Sequence, residues 1–222
     1  MHRDDFSVRR SERARRVRVC VDAGGAVEVV LPRRVPEREA VAAVVELAPW
    51  IERRRAALAR ARAEVARPPG TAPYLGETLE LVTEAGRTRV HRRGRTLLVP
   101  AAEAGPALER FYRRAARLEI SARLDAAVGR AGTEYTRLTI RGQRTRWASC
   151  SPRGDMSFNW RLLLAPEPVL DAVIWHEVCH LEVLDHSPRF WALLEGRCPD
   201  YRAHQRWLRR YGPLLSLPPA PA

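Results

Sequence analysis

Lysine is absent from this chain: all 39 residues of the lysine-plus-arginine count are arginine. With alanine and proline also abundant, that absence reads as a coding bias, so the formal charge of +13 is not by itself the signature of a polyanion-binding surface. The bias explains arginine in place of lysine, though not the excess of basic over acidic residues. The runs Arg9-Arg10, Arg15-Arg16, Arg53-Arg54-Arg55 and Arg113-Arg114 read as solvated faces, and nucleic acid stays an open partner class. Cysteine is sparse too. Cys20, Cys150, Cys179 and Cys198 form no Cys-x-x-Cys pair, which removes a second zinc signature, and they read as reduced, mostly buried thiols. No apolar run is long enough to span a membrane, and Met1-His2-Arg3-Asp4-Asp5-Phe6 lacks the apolar stretch of a signal peptide. The expectation is a cytoplasmic protein without a membrane partner; nothing in the sequence fixes its oligomeric state.

What is present can fill a core. At 222 residues and 45% hydrophobic, the chain is long enough for one domain or two tightly joined lobes. Alternating residues over 16–21 and 26–31 flank Gly24-Gly25 and predict a hairpin. A helix is predicted over 37–66, divided near Pro49-Trp50-Ile51, and Pro68-Pro69-Gly70 closes this lobe. Short strands over 78–82, 87–91 and 96–99 precede a helix over 105–128. We divide the chain into a hairpin-and-helix lobe (1–70), short strands and a helix (71–130), a catalytic core (131–215) and a tail (216–222), together one unit.

The chemistry concentrates in His176-Glu177-Val178-Cys179-His180, followed by Asp185-His186-Ser187-Pro188. On a helix, residues four apart share a face, so His176 and His180 can hold one metal ion, zinc by preference. Glu177 lies about 100° around the helix from His176, where its carboxylate can serve as general base without being a ligand. Pro166 and Pro168 suit the first turn of this helix, as do Glu167 and Asp171 near its positive end. His186 sits six residues past His180, about 240° around a continuous helix, so the helix must stop between them. Pro188 disfavours continuation, and Ser187 reads as the N-cap of a new helix beginning at Pro188. The turn lets His186 swing back as a third ligand; Glu195, on the next helix, is the alternative donor. The only methionines, Met1 and Met156, lie upstream, which excludes the downstream methionine turn of the metzincins.

Ahead of the motif, 136–141 and 144–151 lead through Pro152-Arg153-Gly154 to a returning strand. There Met156, Phe158 and Trp160 alternate with Ser157, Asn159 and Arg161, which leaves a polar face. An exposed strand edge beside a metal is where an extended peptide gains main-chain hydrogen bonds. Arg144, Arg146 and Asn159 are the candidate substrate contacts.

The chain resembles the YgjP-like metallopeptidases, relatives of the WLM and SprT-like zincins. The resemblance rests on 144–151, on Phe158-Asn159-Trp160-Arg161-Leu162, on 173–191, and on Val27 to Pro32, Trp50-Ile51-Glu52 and Tyr74-Leu75-Gly76. Ala148 departs from it, standing where the family carries glycine. The resemblance implies an α+β zincin core with an N-terminal β-rich lobe, zinc on His176, His180 and His186, and Glu177 as catalytic base. Three functions are carried forward. The first is a zinc metallopeptidase acting on peptide or protein. The second is a zinc hydrolase of nucleoside triphosphates or other phosphate substrates, and the third a DNA-associated SprT-like protease. One metal with a glutamate base favours carbonyl chemistry, because phosphate displacement more often uses two metals.

Overall fold

A computed structural model describes residues 6–143 and 145–218. The chain divides into two compact units, Met1–Ala66 and Arg67–Ala222. Among the described residues six α-helices and three mixed sheets make an α+β fold.

In the first unit, β2 (Arg18–Val21) and β3 (Val27–Pro32) form the expected antiparallel hairpin, and β1 (Phe6–Ser11) pairs with β3 in parallel. Gly25 takes φ 89° in the turn, and the Asp22 carboxylate accepts from the Ala26 amide at 2.8 Å. β1 had no clear signal because it is an edge strand carrying two arginines; only the central β3 is almost wholly buried. Val27, Val29 and Leu31 pack with Ala40, Val44 and Ile51 from α1 (Arg38–Glu46) and α2 (Ala48–Glu64). The helix divides at Leu47, just before the expected point, since Pro49 is tolerated in the first turn of α2.

The second unit opens with β4 (Thr71–Tyr74), β5 (Glu77–Glu84), β6 (His91–Arg93) and β7 (Thr96–Pro100), in the order β4-β5-β7-β6. Residues 87–90 are not a strand, contrary to expectation. The tight turn at Gly94, φ 59°, pairs His91 with Leu98, so β6 begins only at His91. α3 (Ala104–Ala131) buries Leu108, Tyr112, Ala116, Ile120, Leu124 and Ala127, a stripe repeating every three or four residues. The Tyr112 hydroxyl donates to the Pro73 carbonyl at 2.7 Å, which satisfies a buried polar group. The third sheet, in the order β8-β10-β9, joins β8 (Arg137–Arg141), β10 (Asp155–Asn159) and β9 (Ala148–Cys150). β10 ends at Asn159, and Trp160–Leu164 is a buried 3-10 turn rather than more strand. α4 (Glu167–Cys179), α5 (Pro188–Arg197) and α6 (Tyr201–Tyr211) complete the unit. No helix among the described residues is long and apolar enough to cross a membrane.

Candidate metal centre

α4 is apolar on almost every side: Val169, Leu170, Ala172, Ile174, Val178 and Cys179 are all buried. Neighbours on several sides hold it as a rigid base, with Pro168 in its first turn where a missing N–H costs nothing. It stops at Cys179, and His180 is its C-cap. The His180 ring donates from Nδ1 to the Val183 carbonyl at 3.0 Å, which leaves the lone pair of Nε2 free.

His186 follows the break. Asp185 Oδ1 accepts from the Ser187 amide at 3.2 Å, and α5 starts at Pro188. Ser187 stands at the N-cap with extended backbone, as expected, though its hydroxyl makes no bond to the first turn of α5. The turn is fixed from Asp185 instead. His186 Nε2 thereby comes within 3.0 Å of His176 Nε2, and one ring nitrogen from each of His176, His180 and His186 lies within 4.8 Å of the others. Nitrogens about 2.1 Å from one tetrahedral zinc ion stand roughly 3.4 Å apart. Small side-chain adjustments would therefore let this cluster hold a single ion.

The three rings share an apolar floor that sequence reading missed. Phe190 is fully buried, and its ring centroid lies 4.9, 4.5 and 4.7 Å from those of His176, His180 and His186. Cys179, Val183, Leu194 and Tyr201 pack with Phe190 in a small core of their own. The available signal was the position of Phe190, two residues into a helix that begins with Pro188.

Burial, with His180 and His186 beside it, pushes the His176 imidazole down to about 4, and burial also lowers His180. Both rings are neutral near pH 7 and present lone pairs. Glu177 is buried, and burial pushes its carboxyl up to about 8, against the backbone amide of Cys150, which donates to it. Its Oε2 has no partner. An orphaned carboxylate oxygen next to a cluster of imidazole nitrogens is the donor chemistry a divalent cation and a reacting water would satisfy.

The remaining candidates are placed differently. Arg144 lies outside the described residues, and Arg146 is exposed. Asn159 is buried and not on a polar face; its amide donates to the Gln143 carbonyl at 2.7 Å and its oxygen accepts from the Arg161 amide at 3.1 Å. Those bonds tie the loop after β8 to the 3-10 turn. Glu195 is ion-paired with Arg202 at 3.1 Å and is not among the clustered donors. Of the cysteines only Cys179 is buried; Cys20 is exposed and the other two are half-buried, so the expectation of mostly buried thiols is corrected.

Gly212 braces one wall near the site. Its backbone is helical, φ −52° and ψ −42°, so alanine suits the main chain, yet a Cβ there would lie 2.8 Å from Trp147 Cζ2. Glycine-to-alanine changes at compatible positions usually stabilise by about 0.4–1 kcal/mol. Here overpacking reverses the sign, and Gly212→Ala is expected to cost about 1–3 kcal/mol, read as a lower urea midpoint. An unchanged or higher midpoint would mean that the indole yields freely.

The family model described as YgjP-like, metallopeptidase domain, matches residues 15–211. Comparison with curated proteins and with solved structures returns no match.

Proposed function

The chain belongs to the YgjP-like metallopeptidase family, and we propose that it is a zinc-dependent peptidase with His176, His180 and His186 as metal ligands and Glu177 as general base. The observation that carries this reading is the three-nitrogen cluster beside the unpartnered Oε2 of Glu177. When bound there, zinc supplies Lewis acidity to the scissile carbonyl and to the attacking water. His176, from the packed helix, and His180, locked through Val183, fix two donors; His186 brings the third from the turn. Glu177 takes the proton of the water at Oε2 and returns it to the leaving amine, while the Cys150 amide keeps the carboxyl in place. β9 is an edge strand of its sheet, so an extended peptide or protein substrate can lie along it.

Among the described residues the three histidines are the single donor cluster, which supports carbonyl chemistry over the two-metal route common for phosphate esters. The expected results are about one zinc per chain and cleavage of unstructured peptides that chelator abolishes. His186→Ala should weaken zinc binding by more than the roughly 10–100-fold that loss of an outer-shell partner costs. A panel of peptides, nucleoside triphosphates and DNA-bound protein, each with and without chelator, tests the reading. Chelator-sensitive turnover of triphosphates alone would overturn it.

A further inference from the structure

A cavity of about 200 Å³ lies between α4, α6 and the start of β9, and His176 and Glu177 form part of its wall. The mechanism uses those two groups but not the space beside them. The rest of the wall is mainly apolar, with Val173 from α4, Leu208 from α6 and the indole of Trp147, while His204 and Gln205 of α6 add polar groups at one side. In a chain with 39 arginines, no arginine is among the lining residues, and Glu177 is the one acidic group there. Small-molecule sites are usually about 300–1,000 Å³. This space is smaller and suits one side chain rather than a whole ligand.

We propose that this cavity is a specificity pocket that receives an uncharged aliphatic side chain, of leucine or methionine size, from the substrate residue next to the scissile bond. The proposal rests on the peptidase reading and adds the substrate class to it. An acidic side chain would find no arginine there to pair with, and a basic one would have to take the Glu177 carboxyl that the reaction needs, so burial disfavours both. A glycine would leave the apolar walls uncovered. Because α4 carries both the wall and the catalytic pair, filling the pocket also sets the bond in register with Glu177.

The test uses the zinc-loaded full chain and a peptide series varied one position at a time. At one position flanking the cleaved bond, kcat/KM is expected to favour leucine over glycine, aspartate and arginine by about tenfold or more, as hydrophobic pockets do. Leu208→Ala should move the preference toward phenylalanine and Leu208→Phe toward alanine, while cleavage of the glycine peptide stays within about twofold, since Leu208 touches only the side chain. If either variant is poorly folded, Ala148→Val narrows the same cavity from the strand side. The same peptides are also titrated by calorimetry into Glu177→Gln. Tighter binding of the leucine peptide, lost in the double variant with Leu208→Phe, supports the pocket even if the wild type cleaves nothing; that outcome would sink the peptidase reading alone. Cleavage with no side-chain preference, or with one that ignores Leu208 and Ala148, overturns the pocket and leaves the peptidase reading intact.

Discussion

Glu177→Gln is expected to lower peptide hydrolysis by about 10²–10⁴-fold, the range for loss of a general acid–base group, with zinc content unchanged. Glutamine has the same shape, keeps an oxygen for the Cys150 amide and replaces a residue that is not one of the clustered donors, so the loss should fall on kcat rather than on folding or metal binding. The folded protein should be at least as stable as the wild type. The carboxyl is already pushed up to about 8 by burial, so a neutral group at that place relieves a cost rather than adding one. Parallel measurement of zinc stoichiometry, urea midpoint and peptide turnover separates these effects. Equal turnover in the two proteins would remove Glu177 from the chemistry.

Phe190→Ala should have the largest effect on stability, about 3–5 kcal/mol, because it opens a cavity where a fully buried ring was. The loss is not confined to packing. All three imidazoles stand on that ring, and without it their orientations relax, so zinc affinity should fall by at least the roughly 10–100-fold seen when supporting groups of a metal site are removed. Phe190→Leu refills part of the volume and should recover much of the stability. It should recover less of the affinity, because it restores no flat surface. Unfolding with excess chelator isolates the packing cost, since zinc would otherwise add its own stabilisation to the folded state. A loss below about 1 kcal/mol in chelator, with wild-type zinc affinity, would mean that the histidines are held by their turns alone.

Local rules made the site legible. The four-residue spacing of His176 and His180 needs only helical geometry, and Pro188 together with the angular mismatch of His186 required a break that the structure places at His180. The hairpin of β2 and β3 and the long α3 were legible for the same reason: their periodicity lies within a few consecutive residues. Parallel pairing was not. β8 joins β10 in parallel across an intervening strand, as β1 joins β3 past β2, and neither partnership leaves a mark on the residues between. Asn159 fits a strand pattern by alternation, yet it is buried because its amide is needed to close the loop after β8.

The sequence by itself determined which three histidines cluster, which glutamate adjoins His176 along the helix and where that helix must end, because each follows from angles along one continuous stretch of backbone. Only the tertiary structure decided that Phe190 lies beneath all three rings, that the Cys150 amide holds Glu177, and that α4, α6 and β9 enclose a cavity. Each of those depends on segments brought together by burial of apolar surface, and that juxtaposition is a property of the packed chain rather than of any stretch of it.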